Sequence, residues 1–211
     1  RSYDNVPAYY LGTYHYKKDL TTYFKEVEQT QHQLLELFKN TDNIFYNFMN
    51  MLSTHLSNNG ISLRLAQYQE KKAGAFIMRS WNNSGAYALN PHEDLAQCYS
   101  SIQRGFEIQS TANYQVVAVN ICIENSIGGN LHYWNIQPND NDRKKLGIEE
   151  TGYPYPESLL INYNKIVLPI YTGDIYCFNG RNVHAVDKIK NSDNQKLRST
   201  ISFFIGFKDD R

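Results

Sequence analysis

The chain has 211 residues, and its 21 Lys and Arg residues are balanced by 21 Asp and Glu residues. This length predicts a single domain over residues 1–211 with a sizeable core, and a neutral charge without a basic stripe excludes nucleic acid as an expected partner. No apolar run approaches membrane-spanning length and the three cysteines are widely spaced, so we expect a cytoplasmic protein that does not contact membranes.

The first third of the chain is expected to supply helices. Residues 1–16 have no regular pattern and are predicted to be irregular. Apolar residues at helical spacing predict a helix over about residues 17–39 and a second over about 45–56. Thr41, Asp42 and Asn43 predict a break and an N-cap before the second helix, which Asn58-Asn59-Gly60 ends. We interpret residues 1–59 as a helical support that packs on a sheet and carries no chemistry.

From Gly60 onward the apolar period changes to two, which predicts strands. We expect them over residues 61–65, 75–81, 87–89, 116–123, 130–134, 166–171, 175–178, 183–189 and 197–207. Helices followed by many short strands are typical of an antiparallel double-stranded β-helix, a cupin-like jelly roll with helices on one face. The mainly β core should span residues 60–207. The polar segment 136–163, with three prolines, is predicted to be a lid-like insertion.

Two short stretches carry a metal-ligand pattern. His92 and Asp94 are two residues apart, so at the end of a strand their side chains point the same way while Glu93 points away. His184 supplies a second imidazole. Two imidazoles and one carboxylate fill one face of an octahedral Fe(II) and leave its other positions open. The pattern therefore predicts a metal site at His92, Asp94 and His184.

The last predicted strand carries an inward-facing arginine. Arg198, Thr200 and Ser202 alternate with apolar residues and share one face of the strand. A buried guanidinium needs an anion, and its fork suits a carboxylate, to which a hydroxyl can add a hydrogen bond. Alternation alone leaves open the other interpretation, in which Arg198 is a surface residue with an ion-pair partner.

Five motif pieces in this order resemble the Fe(II)/2-oxoglutarate-dependent dioxygenases, and they cover roughly residues 61–207. The pieces are His92-Glu93-Asp94, Gly128-Gly129-Asn130-Leu131, the stretch Gly173 to Gly180, His184-Ala185-Val186 and Arg198-Ser199-Thr200. The layout, with helices before the barrel, is most similar to the stand-alone hydroxylases and halogenases of amino acids and alkaloid-type natural products.

The resemblance implies a small-molecule hydroxylase. Its cofactors would be Fe(II), held by the predicted triad, and 2-oxoglutarate, whose distal carboxylate would bind Arg198 with help from Thr200 or Ser202. It would use O2 to oxidise an unactivated C–H bond and release succinate and CO2. Halogenating relatives have Gly or Ala in place of the carboxylate ligand, so Asp94 indicates hydroxylation. A peptide hydroxylase, a non-catalytic jelly-roll binding protein and a homodimer remain open.

The substrate pocket is predicted less directly. Arg64 or Arg79 could bind a substrate carboxylate, although exposure to solvent is the default for each. Four further candidates could line the pocket or contact the C1 carboxylate of 2-oxoglutarate, namely Asn83, Tyr87, Asn120 and Trp134. Gln97 could support a metal ligand.

Four histidines are not assigned to the metal. His132 competes with His184 as the distal ligand, but no inward arginine follows it at the family's spacing, so we interpret it as a strand or pocket residue. His15, His32 and His55 are expected to be solvated or capping residues.

Overall fold

A computed structural model describes residues 8–81, 86–113, 115–125, 127–190 and 197–207. Within them the protein is mainly β, with two long helices and two short ones. The helices are α1 Leu20–Leu37, α2 Ile44–Ser57, α3 Asp140–Leu146 and α4 Glu157–Leu160. The strands are β1 Ala8–Leu11, β2 Gln67–Tyr68, β3 Lys71–Lys72, β4 Ile77–Trp81, β5 Tyr87–His92, β6 Val116–Glu124, β7 Ile127–Gly128, β8 Leu131–Trp134, β9 Lys165–Leu168, β10 Ile175–Asn179, β11 His184–Asp187, β12 Ile189–Lys190 and β13 Arg198–Gly206.

Nine of these strands form two antiparallel sheets. The five-stranded sheet has the order β1-β4-β13-β6-β10, and the four-stranded sheet has the order β5-β11-β8-β9. Two short pairs, β2-β3 and β7-β12, stand beside them. The predicted helices and the mainly β class are therefore confirmed.

Side-chain caps fix where the two long helices begin. The carboxylate of Asp19 accepts a hydrogen bond from the Thr22 N–H at 2.9 Å, and the side chain of Asn43 accepts one from the Tyr46 N–H at 3.1 Å. Each cap satisfies one of the amide groups that the first turn of a helix leaves without a partner. The N-cap predicted within residues 41–43 is confirmed, and Asn43 is the residue that provides it.

The helices pack on one face of the five-stranded sheet. The buried cluster at this contact consists of Leu34, Phe45, Phe76, Val119, Ile121, Ile201 and Phe203. Because side chains alternate along a strand, this contact sends Asn120 of β6 and Thr200 and Ser202 of β13 to the opposite face. There, Asn120 and Ser202 are register partners. The predicted alternation of both strands is confirmed, and it determines which side chains face the interior.

Two predicted elements differ in the structure. Residues 8–11 form strand β1 rather than an irregular segment, because they pair with β4, a long-range contact that local spacing does not reveal. Residues 61–66 have no strand partner and are irregular. The insertion at 136–163 contains α3 and α4 and shares a buried core with β8 and β11, so it packs on the four-stranded sheet; its role as a lid stays a prediction. None of the described helices is long and apolar enough to cross a membrane.

Candidate metal centre

The structure brings His92, Asp94 and His184 together. His92 ends β5 and His184 begins β11, and the two residues are register partners across these antiparallel strands. Asp94 follows two residues after β5, where its N–H donates to the Gly180 carbonyl at 2.7 Å. One ligand atom from each side chain lies within 4.8 Å of the other two.

Both imidazoles are oriented by backbone carbonyls. His92 Nδ1 lies 2.8 Å from the Asn90 oxygen, and His184 Nδ1 lies 2.9 Å from the Asn182 oxygen. A carbonyl accepts hydrogen bonds only, so each Nδ1 carries the proton and each Nε2 keeps its lone pair. Both Nε2 atoms face Asp94, at 3.9 Å for His92 and 3.3 Å for His184. This orientation suits metal binding through Nε2.

Burial sets the charge states of the ligands. Burial, reinforced by the nearby His184, lowers the pKa of His92 to about 3, so this imidazole is neutral at neutral pH. Burial opposes ionisation of Asp94, but His184 and His92 outweigh it and leave the pKa of this carboxyl below its usual value. Neutral imidazoles and a carboxylate are the forms that bind a metal. The donor set fits one face of an octahedral Fe(II).

Further hydrogen bonds and an ion pair hold the loop that carries Glu93 and Asp94 in place. Gln97 donates to Asp94 Oδ1 at 3.3 Å, as predicted. Glu93 points away from the triad, also as predicted, and accepts from the N–H groups of Leu95 and Ala96. Its buried carboxylate also faces Arg143 of the insertion, with Oε1 3.4 Å from Nη1.

Arg198 is buried inside the molecule, with 1% of its surface exposed, so it is not a surface residue. Its Nε donates to the Gly129 carbonyl at 3.0 Å and its Nη2 to the Tyr176 hydroxyl at 2.6 Å. Thr200 and Ser202 are buried on the same face, and their hydroxyl oxygens are 3.1 Å apart. A guanidinium and two hydroxyls thus lie side by side, as a carboxylate-binding group requires.

Arg79 lies next to this group. It is the register partner of Thr200, and its Nη2 donates to Ser202 Oγ at 2.8 Å and approaches Asn120 Oδ1 at 3.4 Å. Ser202 in turn donates to Asn120 Oδ1 at 2.7 Å. The structure therefore places Arg79 and Asn120 in the cavity with the triad, where both were expected.

The other candidate pocket residues divide into two groups. Arg64, on an irregular segment, is among the residues that line the cavity with the triad, and its two terminal nitrogens contact Glu107 at 2.6 and 2.7 Å. Trp134 belongs to the core beneath the insertion, on the outer face of the four-stranded sheet, and Tyr87 packs against that core. Placing Tyr87 and Trp134 in the pocket was wrong, because alternation does not reveal which face of a sheet is inside. Asn83 lies outside the described residues.

His132 is not near the triad. It faces the Tyr87 side of its sheet, with its ring centroid 5.8 Å from the ring of Tyr87, and its Nε2 lies 3.5 Å from Asp187 Oδ2. The interpretation as a strand residue is confirmed.

A cavity of about 1290 Å³ extends from the triad to Arg198. The sequence reasoning did not assign several of its lining residues to the pocket, among them His15, Thr151 and Tyr153. Tyr153 accepts from the Asn90 side chain at 3.0 Å, and its ring lies 6.0 Å from that of His92. His15 was expected to be solvated or capping, which was wrong. Burial lowers the pKa of His15, against smaller opposing effects of its hydrogen bond to Gln103 and of Asp94.

Comparison with known proteins identifies the family. The family model described as carrier-protein-independent halogenase WelO5 matches residues 2–211, nearly the whole chain. The chain belongs to the WelO5 family. Membership confirms the predicted branch of small-molecule Fe(II)/2-oxoglutarate oxygenases and halogenases, and with it an enzyme whose cofactors are Fe(II) and 2-oxoglutarate.

Individual relatives of this WelO5 family member are described as amino acid dioxygenases. The L-isoleucine 3(1)-dioxygenase of Pantoea ananatis (strain AJ13355) is 31% identical over 207 residues, which cover 95% of this chain and 67% of the relative. The crystal structure of an N-substituted L-amino acid dioxygenase from Burkholderia ambifaria AMMD is 15% identical, with a TM-score of 0.54 over 90% of this chain and 66% of that one. Its complex with alpha-KG gives a TM-score of 0.52 over 90% of this chain and 67% of that one. The chain thus spans about two thirds of the length of these relatives.

Proposed function

We propose that the protein hydroxylates an unactivated C–H bond of a free aliphatic amino acid resembling L-isoleucine. The observation that carries this proposal is Asp94, a carboxylate within ligand distance of both histidines in a family whose description is a halogenase. The resemblance implies Gly or Ala in place of the carboxylate ligand in halogenating relatives, whereas this chain has Asp94. The L-isoleucine dioxygenase relative supports the substrate class.

In this proposal His92, Asp94 and His184 hold Fe(II), and Arg198 holds the distal carboxylate of 2-oxoglutarate. The bound metal and co-substrate supply the oxidising chemistry, in which O2 and 2-oxoglutarate become the new hydroxyl group, succinate and CO2. Arg198 donates to the carboxylate while Gly129 and Tyr176 fix its plane. Thr200 offers a hydroxyl donor to the same oxygens, while Ser202 donates its own proton to Asn120, and the burial of both hydroxyls excludes competing water.

Arg79 and Asn120 are the residues that we assign to the substrate carboxylate. They lie beside Ser202 on the cavity wall, and the charge of Arg79 affects both His92 and Asp94. A substrate carboxylate on Arg79 would place the aliphatic side chain of an amino acid in the remaining cavity volume.

We also infer that the two sheets form the predicted double-stranded β-helix within one domain. The TM-scores to the Burkholderia dioxygenase support this assignment. The amino acid dioxygenase relatives favour a small molecule over a peptide as substrate. A cytoplasmic location and a homodimer remain predictions.

The test begins with anaerobic protein, Fe(II) and 2-oxoglutarate. We expect a weak metal-to-ligand charge-transfer band in the visible under anaerobic conditions. Once O2 is admitted, we expect succinate formation that L-isoleucine stimulates. Arg198→Ala should still bind iron but require about 30- to 1000-fold more 2-oxoglutarate, because a charge-assisted bidentate contact is worth ~2–4 kcal/mol. The exposed Arg104→Ala is the matched control. A folded protein without the band, or Arg198→Ala with unchanged 2-oxoglutarate affinity, would overturn these assignments.

A further inference from the structure

A histidine that the proposed chemistry does not use faces the same cavity. His15 lies between β1 and α1 and lines the cavity with the metal triad. Its ring packs edge-on to Tyr23, with centroids 6.4 Å apart. It contacts the segment that follows Asp94, since its Nδ1 is 3.0 Å from Gln103 Oε1.

The amide of Gln103 fixes the tautomer of His15. Gln103 Nε2 donates to the carbonyls of His15 at 2.5 Å and Lys18 at 2.8 Å. Carbonyls accept only, so this end of the amide must be the nitrogen, and the oxygen must face His15. An oxygen that accepts from Nδ1 places the imidazole proton there. His15 Nε2 is therefore a lone-pair acceptor.

This acceptor is accessible in a residue that lines the cavity. Among the described residues, His15 Nε2 has no hydrogen-bond partner, and it is not one of the fully buried, unpartnered polar atoms. A neutral acceptor cannot hold a carboxylate, so its partner must be a donor. The neighbouring cation Lys18 is engaged by Glu26 and Thr13, so it does not supply that donor.

We propose that His15 Nε2 accepts a hydrogen bond from the α-ammonium group of the substrate, so that the cavity selects amino acids with a free amine. This proposal rests on the proposed function, and it makes His15 a specificity-determining residue. Arg79 would take the carboxylate and His15 the ammonium of one zwitterion.

Two substitutions of His15 distinguish the role of Nδ1 from that of Nε2. His15→Asn keeps an N–H donor near the Nδ1 position for Gln103 but removes the Nε2 acceptor, while His15→Gln can restore an acceptor near Nε2. We expect His15→Asn to weaken L-isoleucine binding about 10- to 100-fold, the usual effect of losing one hydrogen bond to a charged group. His15→Gln should stay close to wild type, and neither should change 2-oxoglutarate affinity. Exposed His32→Asn is the control.

Binding is measured by anaerobic calorimetry with Fe(II) and 2-oxoglutarate bound, and the ligands are L-isoleucine and 3-methylpentanoate, which lacks the amine. The wild type should bind 3-methylpentanoate about as weakly as His15→Asn binds L-isoleucine. Equal wild-type affinity for the two ligands overturns the role of His15 without any variant, as does unchanged L-isoleucine binding in His15→Asn. If the charge-transfer band forms but neither ligand binds the wild type, the proposed substrate class fails, and the assignment of His15 falls with it.

Discussion

Glu93 and Arg143 form a buried ion pair that joins the metal-ligand loop to the insertion. Glu93 lies directly between His92 and Asp94 in sequence, and its Oε1 is 3.4 Å from Arg143 Nη1 at the start of the insertion. Burial raises the pKa of Glu93, and Arg143 opposes this increase. The backbone of Glu93 also touches the insertion, because its N–H donates to the Gly152 carbonyl at 3.0 Å.

We expect Arg143→Met to destabilise the protein by about 3–5 kcal/mol, because removing one partner leaves a buried carboxylate uncompensated. The free energy of unfolding in urea, measured on metal-free protein, checks this. Exposed Lys144→Met on the same helix is the control. The double variant Glu93→Gln with Arg143→Met should recover part of the loss. If Arg143→Met were as stable as Lys144→Met, the Glu93–Arg143 ion pair would contribute nothing to the free energy of unfolding.

Gly129 should control 2-oxoglutarate affinity through Arg198. Its φ is +67°, and an added Cβ would lie 2.7 Å from Arg198 Cδ and 2.8 Å from Asn125 Oδ1. Gly147 has the same φ and open space around it. Both Gly→Ala variants therefore carry a similar backbone cost of about 1–2 kcal/mol. We expect only Gly129→Ala to raise the 2-oxoglutarate requirement, by about 10- to 100-fold, since it displaces the guanidinium. Equal 2-oxoglutarate affinities of Gly129→Ala and Gly147→Ala would contradict an effect of Gly129 on Arg198.

Asp94→Gly should weaken iron binding by more than about 100-fold, since loss of even a supporting contact costs about 10- to 100-fold. Hydroxylation should fall steeply. Chlorination is not expected, because a halide also needs surrounding hydrogen-bond donors that one substitution does not build. Product mass with saturating Fe(II), 2-oxoglutarate, L-isoleucine and chloride is the measurement. The exposed Asp42→Gly is the control. Wild-type hydroxylation in Asp94→Gly would show that Asp94 is not a ligand.

The metal-free protein should lose stability as the pH falls from about 6.5 towards 3. In the unfolded chain His92 takes up a proton near its ordinary pKa of 6.5, whereas burial keeps the folded residue neutral down to about 3. The unfolded state therefore binds more protons across this window, and its population rises as the pH falls. Within this window, His92 lowers the free energy of unfolding by up to about 1.4 kcal/mol for each unit by which the pH falls. Urea unfolding at several pH values gives the slope of the free energy of unfolding against pH. This slope should be shallower for His92→Gln than for the wild type, and an identical slope would disprove the contribution of His92.

The sequence predicts the parts of the site that lie close together along the chain. The spacing of His92 and Asp94 and the alternation of Arg198, Thr200 and Ser202 are local patterns, and each places side chains on one face. Which face is interior depends on what packs against it. Tyr87 and Trp134 were misplaced for that reason, since the insertion covers their face with its own core.

Long-range pairing is the other limit on prediction. His15 meets Gln103 across 88 positions of sequence, and no local pattern marks either residue. Strand β1 likewise forms only because β4 offers its edge. Such contacts depend on the folded topology, so they could not be predicted from composition or periodicity.

Because His92 and His184 are partners across β5 and β11, iron binding reports whether these two strands are in their native register. A slip of one position would turn one imidazole to the opposite face of its sheet. A chain with that error could keep its strands and most of its buried area yet bind no iron tightly. Iron uptake during refolding would therefore count molecules with native strand alignment, which circular dichroism cannot distinguish from misaligned ones.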